Sequence, residues 1–309
     1  MNTTPLMPQT PARMATPRRQ SPWRRLVADF GRSPAALAAL SVAVLLVLAA
    51  IFAPLITPQN PYDLLQLDVL DARLPPGSMN GAGTHAYWLG TDGQGRDLYS
   101  AMLYGLRLSL SVGLGSAFIA GVVGTAFGLI AAYAGGKTDS LIMRLVDLLL
   151  AFPSILVAMM LLAFLGKSVT NVVLTLVLIE WAYYARTARA QALVEARREY
   201  VEAARSLAIP NWRIVFVHIL PNCLPPLIVV ATLQVARAIT LEATLSFLGL
   251  GVPITEPSLG LLIANGYQTM LSGEYWISVY PGLALLALLV SINMVGDRLR
   301  TLLNPRFVK

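Results

Sequence analysis

The sequence predicts an all-α membrane protein with six transmembrane helices, and three observations carry that prediction. Of 309 residues, 56% are apolar and only 13% are charged. The mean hydropathy is +0.64, and the apolar residues fall in runs long enough to cross a bilayer. Lipid offers backbone amides no hydrogen bonds, so such spans must be helices that satisfy themselves. A net charge of +7 would suggest nucleic acid in a soluble protein. Here the basic residues gather in a few short segments, which fits anchoring to anionic membrane lipid and no nucleic-acid partner.

Residues 1–33 are rich in Pro, Thr and Arg with few apolar anchors, and read as a mostly disordered cytoplasmic tail. The first transmembrane helix is expected over 34–53, twenty residues that rise about 30 Å, one hydrocarbon thickness. Residues 54–102 are polar and turn-rich, with mainly acidic charges, and form a segment outside the membrane. A second span is expected from Leu103 to Ala134. Its Gly113, Ala117, Gly121, Gly124 and Gly128 recur at short helical steps that let helix backbones approach closely. A third, Leu141–Leu165, is interrupted by Pro153. The fourth is Val169–Tyr184, and the fifth is an overlong Ile214–Phe247 whose entry should be bent by Pro221, Pro225 and Pro226. The sixth is Val279–Val295. Together the last five spans make a core over 103–299, followed by a cytoplasmic tail over 300–309.

Orientation follows from Lys and Arg. With the N-terminus inside, eighteen of the 23 basic residues fall in cytoplasmic segments and four in outer ones. Both termini are therefore expected in the cytoplasm, and the 249–278 loop outside.

Little in the chain resembles a catalytic centre. Gly136-Lys137-Thr138 and Gly166-Lys167-Ser168 look like phosphate loops, but the required earlier glycine is Ala131 in one and Leu161 in the other. His85 and His218 lack ligand spacing, and Cys223 is the single cysteine. The expectation is a non-enzymatic subunit with no cofactor or metal of its own.

Ionisable groups in or near the spans are Asp147, Glu180, Arg237, Glu242 and Asp297. Each is expensive in hydrocarbon and needs a partner or a wet cavity. Arg144 and Asp147, three apart, are expected to pair. Arg237 and Glu242 stand roughly 140° apart around a helix, so each should reach another helix, as helix–helix glue or as lining of a translocation path.

The best-organised polar stretch is Glu199–Pro221. A helix is expected from Glu195 to Ala208, with Tyr200, Ala203, Ala204, Leu207 and Ala208 on one stripe and Pro210 as its stop. Too polar to span, it must lie against headgroups, against the protein's own helix ends, or against a partner protein.

Glu202-Ala203-Ala204 followed by Leu220-Pro221 resembles the EAA loop of binding-protein-dependent ABC importer permeases. The segments Asn60–Asp63, Leu89–Asp97, Tyr104–Leu110, Ala151–Ser154, His218–Asn222, Glu242–Gly251 and Gly296–Arg300 are similar to the C-type permease of dipeptide and oligopeptide importers. The resemblance implies a type I importer permease fold in the bacterial inner membrane, moving di- or oligopeptides. Nickel, glutathione or another small solute is the alternative cargo within the family, and a non-transporting scaffold or sensor is the alternative in another class. It also implies a B-type sister permease, two ATP-binding cassette subunits that hold ATP and Mg, and an extracytoplasmic substrate-binding protein. The coupling loop would be 186–213, with Glu199, Tyr200, Glu202, Ala203, Ala204, Arg205, Leu207 and Ala208 docking on an ATPase subunit. Ala208 departs from the family, which usually has Gly there, and implies a slightly different turn.

Overall fold

The computed structural model describes residues 28–303. Most of the expected N-terminal tail and the end of the C-terminal one lie outside them. Helix α1 (Pro34–Ile51) starts where Ser33 accepts the Ala36 N–H at 3.3 Å and Pro34 fills the first turn.

Among the described residues, four helical runs are long and apolar enough to cross a membrane. They are α1, α2 (Leu98–Ala134), the run Asn211–Phe247 whose regular part is α7 (Leu220–Phe247), and α9 (Trp276–Leu303). Helices α3 (Gly136–Ala151) and α4 (Ser154–Leu165) bring the number to five if they are one broken span, bent by 94° at Phe152–Pro153. The interruption expected at Pro153 is thus a sharp corner. Helix α5 (Val169–Glu195) runs well past Tyr184, and with Asn171, Glu180, Arg186 and Arg189 along it falls outside that apolar set.

Two features of the sequence-based plan take a more specific form. The entry of the fifth apolar run is wound as a π-helix over Ile214–Ile219, and the path stays helical from Asn211 to Phe247. Pro221, Pro225 and Pro226 cannot donate to the preceding turn, and the wider π turn sits just ahead of them. The stretch 249–278 is more than a loop, because it contains α8 (Leu259–Thr269), capped by Ser258, which accepts the Leu261 N–H at 3.1 Å.

Helix α2 packs most extensively on α5. Gly124 and Gly128 face the main-chain carbonyls of Trp181 and Ala185, where any Cβ would overlap backbone. The predicted small-residue stripe is therefore a real seam, though it serves two neighbours, since Gly113 abuts Ile239 of α7 instead. Apolar cores sit between α2, α5 and α7 and between α2, α7, α8 and α9.

The segment before α2 is a knitted cap. Strands β1 (Ser78–Met79) and β2 (Ala86–Tyr87) pair antiparallel. Buried Asp71 accepts from the Tyr87 hydroxyl at 2.8 Å and the Gly81 N–H at 3.0 Å. Arg96 and Asp92, both buried, pair at 2.7 Å. Asp97 caps α2 by accepting the Ser100 N–H at 2.8 Å, while its own N–H goes to Gln59 Oε1 at 2.6 Å. That cap starts α2 at Leu98, ahead of the expected Leu103. The indole of Trp276 donates to the Thr91 carbonyl at 3.4 Å and ties α9 to the same cap.

Candidate functional site

The polar stretch that the sequence singles out lies at the end of the bundle opposite the cap. Helix α5 ends at Glu195, and α6 (Glu199–Ser206) follows after a turn at 196–198. The single helix expected from Glu195 to Ala208 is thus split in two. The turn lets the buried Glu195 carboxylate fold back and accept the Tyr200 hydroxyl at 2.6 Å. Burial and that bond push the Tyr200 phenol up to about 12. Asn222 completes the clasp, donating to the Tyr200 hydroxyl at 3.2 Å and to the His218 carbonyl at 2.7 Å. Glu195 and Asn222 were not among the expected site residues; the run His218–Asn222 was the signal that contained one of them.

The expected stripe is also corrected. Val201 and Ala204 are the buried positions of α6, packed with Ile214 and Ile219 in one core cluster. Tyr200, Ala203, Leu207 and Ala208 are exposed, Leu207 at 76%. A helix of eight residues has room for one buried line, and the body of the protein takes the line through Val201 and Ala204. Glu199, Glu202 and Arg205 are exposed as well. The two acids lie in the first turn and the arginine in the last, each favourable to the helix dipole.

Ala208 adopts φ +53, one of two non-glycine residues at positive φ among those described. Its N–H bonds to the Arg205 carbonyl at 2.9 Å, and the next N–H, of Ile209, bonds to the Ala204 carbonyl at 3.1 Å. This is the Schellman end of a helix. The different turn expected from alanine is not what forms; Ala208 takes the left-handed conformation that favours glycine.

Glu242 is fully buried and accepts hydroxyl hydrogens from Ser109 on α2 and Ser246 on its own helix, each at 2.8 Å. It works as glue between helices. Arg237, half-buried, donates to Ser154 Oγ at 3.0 Å and stands over the Tyr183 ring, 4.4 Å from its centre. The two therefore go to separate neighbours, as their spacing implied. The expected Arg144–Asp147 pair does not form. Asp147 pairs with Arg186, and Asp139 with Arg189, so both carboxylates of α3 are taken by the facing helix α5. Asp297 is exposed.

Beside α6, a groove of about 920 Å³ opens between α2 and the run from Asn211 into α7. Phe118, Val122, Ile130, Trp212, Phe216 and Leu224 are among its almost wholly apolar walls.

Residues 124–309 match the family described as the binding-protein-dependent transport system inner membrane component. The chain belongs to that family. Residues 21–76 match the N-terminal TM domain of oligopeptide transport permease C, so the two matches account for most of this inner membrane component. It is 37% identical over 282 residues to the probable D,D-dipeptide transport system permease protein DdpC of Escherichia coli (strain K12), covering 91% of each chain. It is 38% identical over 286 residues to the di/tripeptide transport system permease protein DppC of Pseudomonas aeruginosa (strain UCBPP-PA14), covering 93% of each. Its fold is that of the solved MetNI methionine ABC transporter in inward facing conformations, with a TM-score of 0.54 and 21% identity over 65% of this chain and 96% of that one. The family resemblance read from the motifs is borne out, and the chain is a multi-pass membrane permease.

Proposed function

We propose that this permease forms half of the translocation path of an ATP-driven importer for di- and oligopeptides. The observation that carries the reading is the mounting of α6. Its inner line, Val201 and Ala204, is locked to the bundle, while Glu199, Glu202, Arg205 and Leu207 face outward. A charged, apolar-centred knob on a fixed base suits a partner groove, with charge setting the register and the exposed leucine supplying contact area. The partner is an ATP-binding cassette subunit, which holds ATP and Mg, so this chain contributes no catalysis. The cargo assignment rests on the peptide permeases that match nearly its whole length.

In this reading the α6 end faces the cytoplasm, where the basic residues gather, and both termini lie there too. The knitted cap faces outward to a substrate-binding protein. The apolar groove along α2 and α7 is covered by a B-type sister permease. Closure of two ATPase subunits moves the two α6 knobs, and the packed spans, which cannot stretch, turn as bodies.

The test is Glu202→Lys in cells carrying the whole transporter. The variant should reach the membrane in normal amount, lose retention of the ATPase subunits on purification, and lose dipeptide uptake. Normal ATPase retention with normal uptake would sink the coupling assignment.

A further inference from the structure

Glu180 has no solvent exposure, and neither of its carboxyl oxygens has a hydrogen-bond partner among the described residues. It sits in the middle of α5, a helix packed against α2, α3, α4 and α7. An enclosed carboxyl left unbonded is a standing cost to the fold, and a buried ionisable group of this kind is a candidate for function. No neighbouring subunit can satisfy it without rearrangement, because this chain already encloses it. The partner must therefore come from within.

The candidates are few. On α2 the one charged residue is Arg107, which is exposed, and α4 has none. On α3, Asp139 and Asp147 are held by Arg189 and Arg186 of α5 itself, and Lys137 and Arg144 belong to that same end of the bundle. Tyr184, one turn along α5, has a buried hydroxyl that is also unpartnered, as is the Gln234 amide nitrogen on α7. Neither of these carries a charge; the cation within reach is Arg237, the one basic residue of α7, whose guanidinium stands over Tyr183, three residues along α5 from Glu180 and on the same face. In this conformation its guanidinium is committed to Ser154 Oγ and the face of Tyr183.

Ser154 is the first residue of α4, immediately after the 94° corner at Pro153. The arginine thus pins α7 to the hinge between α3 and α4, and its best counter-ion waits empty on the adjacent helix. We propose that Arg237 has two seats in the transport cycle: Ser154 with Tyr183, as here, and the Glu180 carboxylate, and that moving between them frees the Pro153 corner to change angle. Both residues are positioning residues, and neither need touch cargo. A packed core with two discrete arrangements of one side chain is the kind of bistable element that such a stroke requires. The inference rests on the importer reading above.

The experiment places a cysteine at Phe152, which is exposed at the corner, in the complete transporter reconstituted in vesicles. Cys223 is buried and stays silent to the reagent. Labelling by a maleimide is timed with and without ATP. With native Glu180 and Arg237, ATP should change the rate about tenfold, within the usual range of conformational coupling. Glu180→Gln and Arg237→Gln should each abolish that change, and the double variant should be no worse than either. An unaltered ATP response in Glu180→Gln or in Arg237→Gln would overturn the proposal. A Phe152→Cys transporter that imports dipeptide yet shows no ATP-dependent labelling would overturn this inference and leave the importer reading standing.

Discussion

The Ile209 N–H reaches back over one left-handed residue to the carbonyl of Ala204 at 3.1 Å, and this bond sets where α6 stops. Ala204 is also one of the two side chains that seat the helix on the bundle. The end of the helix and its attachment therefore depend on each other, with Ala208 at φ +53 between them.

Replacing Ala208 by glycine should stabilise this turn. An L-residue in the left-handed region costs about 1–2 kcal/mol, and glycine gives back about half of that through its freer unfolded chain. The expected net gain is about 0.5–1 kcal/mol, read as a rise in the thermal midpoint of the purified permease in detergent. Ala208→Val should lower it, since a branched Cβ is worse there.

Tyr200→Phe removes the bond to Glu195 and leaves a buried carboxylate short of a donor. A loss of about 1–2 kcal/mol is expected, seen as faster proteolysis or hydrogen exchange across 196–206.

The same phenol gives a pH signature. Its value rises from the usual 10.0 to about 12 in the folded protein. Its stabilisation is full below about pH 10 and drains away between about pH 10 and 12, because the unfolded chain loses the proton first. Stability measured across that window should fall in the native protein and fall less steeply in Tyr200→Phe. Equal slopes would remove Tyr200 as the source.

Glu242→Ala strips Ser109 and Ser246 of a shared acceptor inside the core. It should cost about 2–3 kcal/mol, whereas Glu242→Gln, which keeps an acceptor oxygen, should cost about 1. Denaturation of the two variants side by side separates the loss of a hydrogen-bonding hub from the loss of a charge.

Gly124→Leu should fail to assemble the α2–α5 seam, because the added side chain meets the Trp181 carbonyl and no rotamer avoids it. Gly115→Leu on the same helix, where nothing stands within 4 Å, should be tolerated. Yield and monodispersity after extraction make the comparison.

What could be read from the sequence was whatever depends on local chemistry. Pro153 announces a corner because a proline forbids the continuing turn, and the glycines of α2 announce close approach because nothing else makes a backbone that bare. Arg144 and Asp147 misled because three-residue spacing offers a partner, while the chain offers Asp147 a different one, Arg186, across a helix pair. The stripe of α6 misled for a related reason. Periodicity reveals that a helix has an apolar side, and Ala204 is on it as expected, yet whether Val201 or the pair Tyr200 and Leu207 joins Ala204 on the inner line is settled by which side meets the bundle first. The helix α8 went unseen because eleven residues between turn signals are short for a span and ordinary for a loop. The unbonded state of Glu180 is a property of packing alone.

The Gly124–Gly128 seam also bears on how effort travels through the molecule. Where two helices touch main chain to main chain, no flexible side chain lies between them to absorb a displacement. Helix α2, 37 residues long and so about 55 Å end to end, is joined to α5 in this way near the α6 end and anchored at its far end in the cap through Asp97. It has the build of a pushrod, one continuous helix tied main chain to main chain near the α6 end and capped at the other.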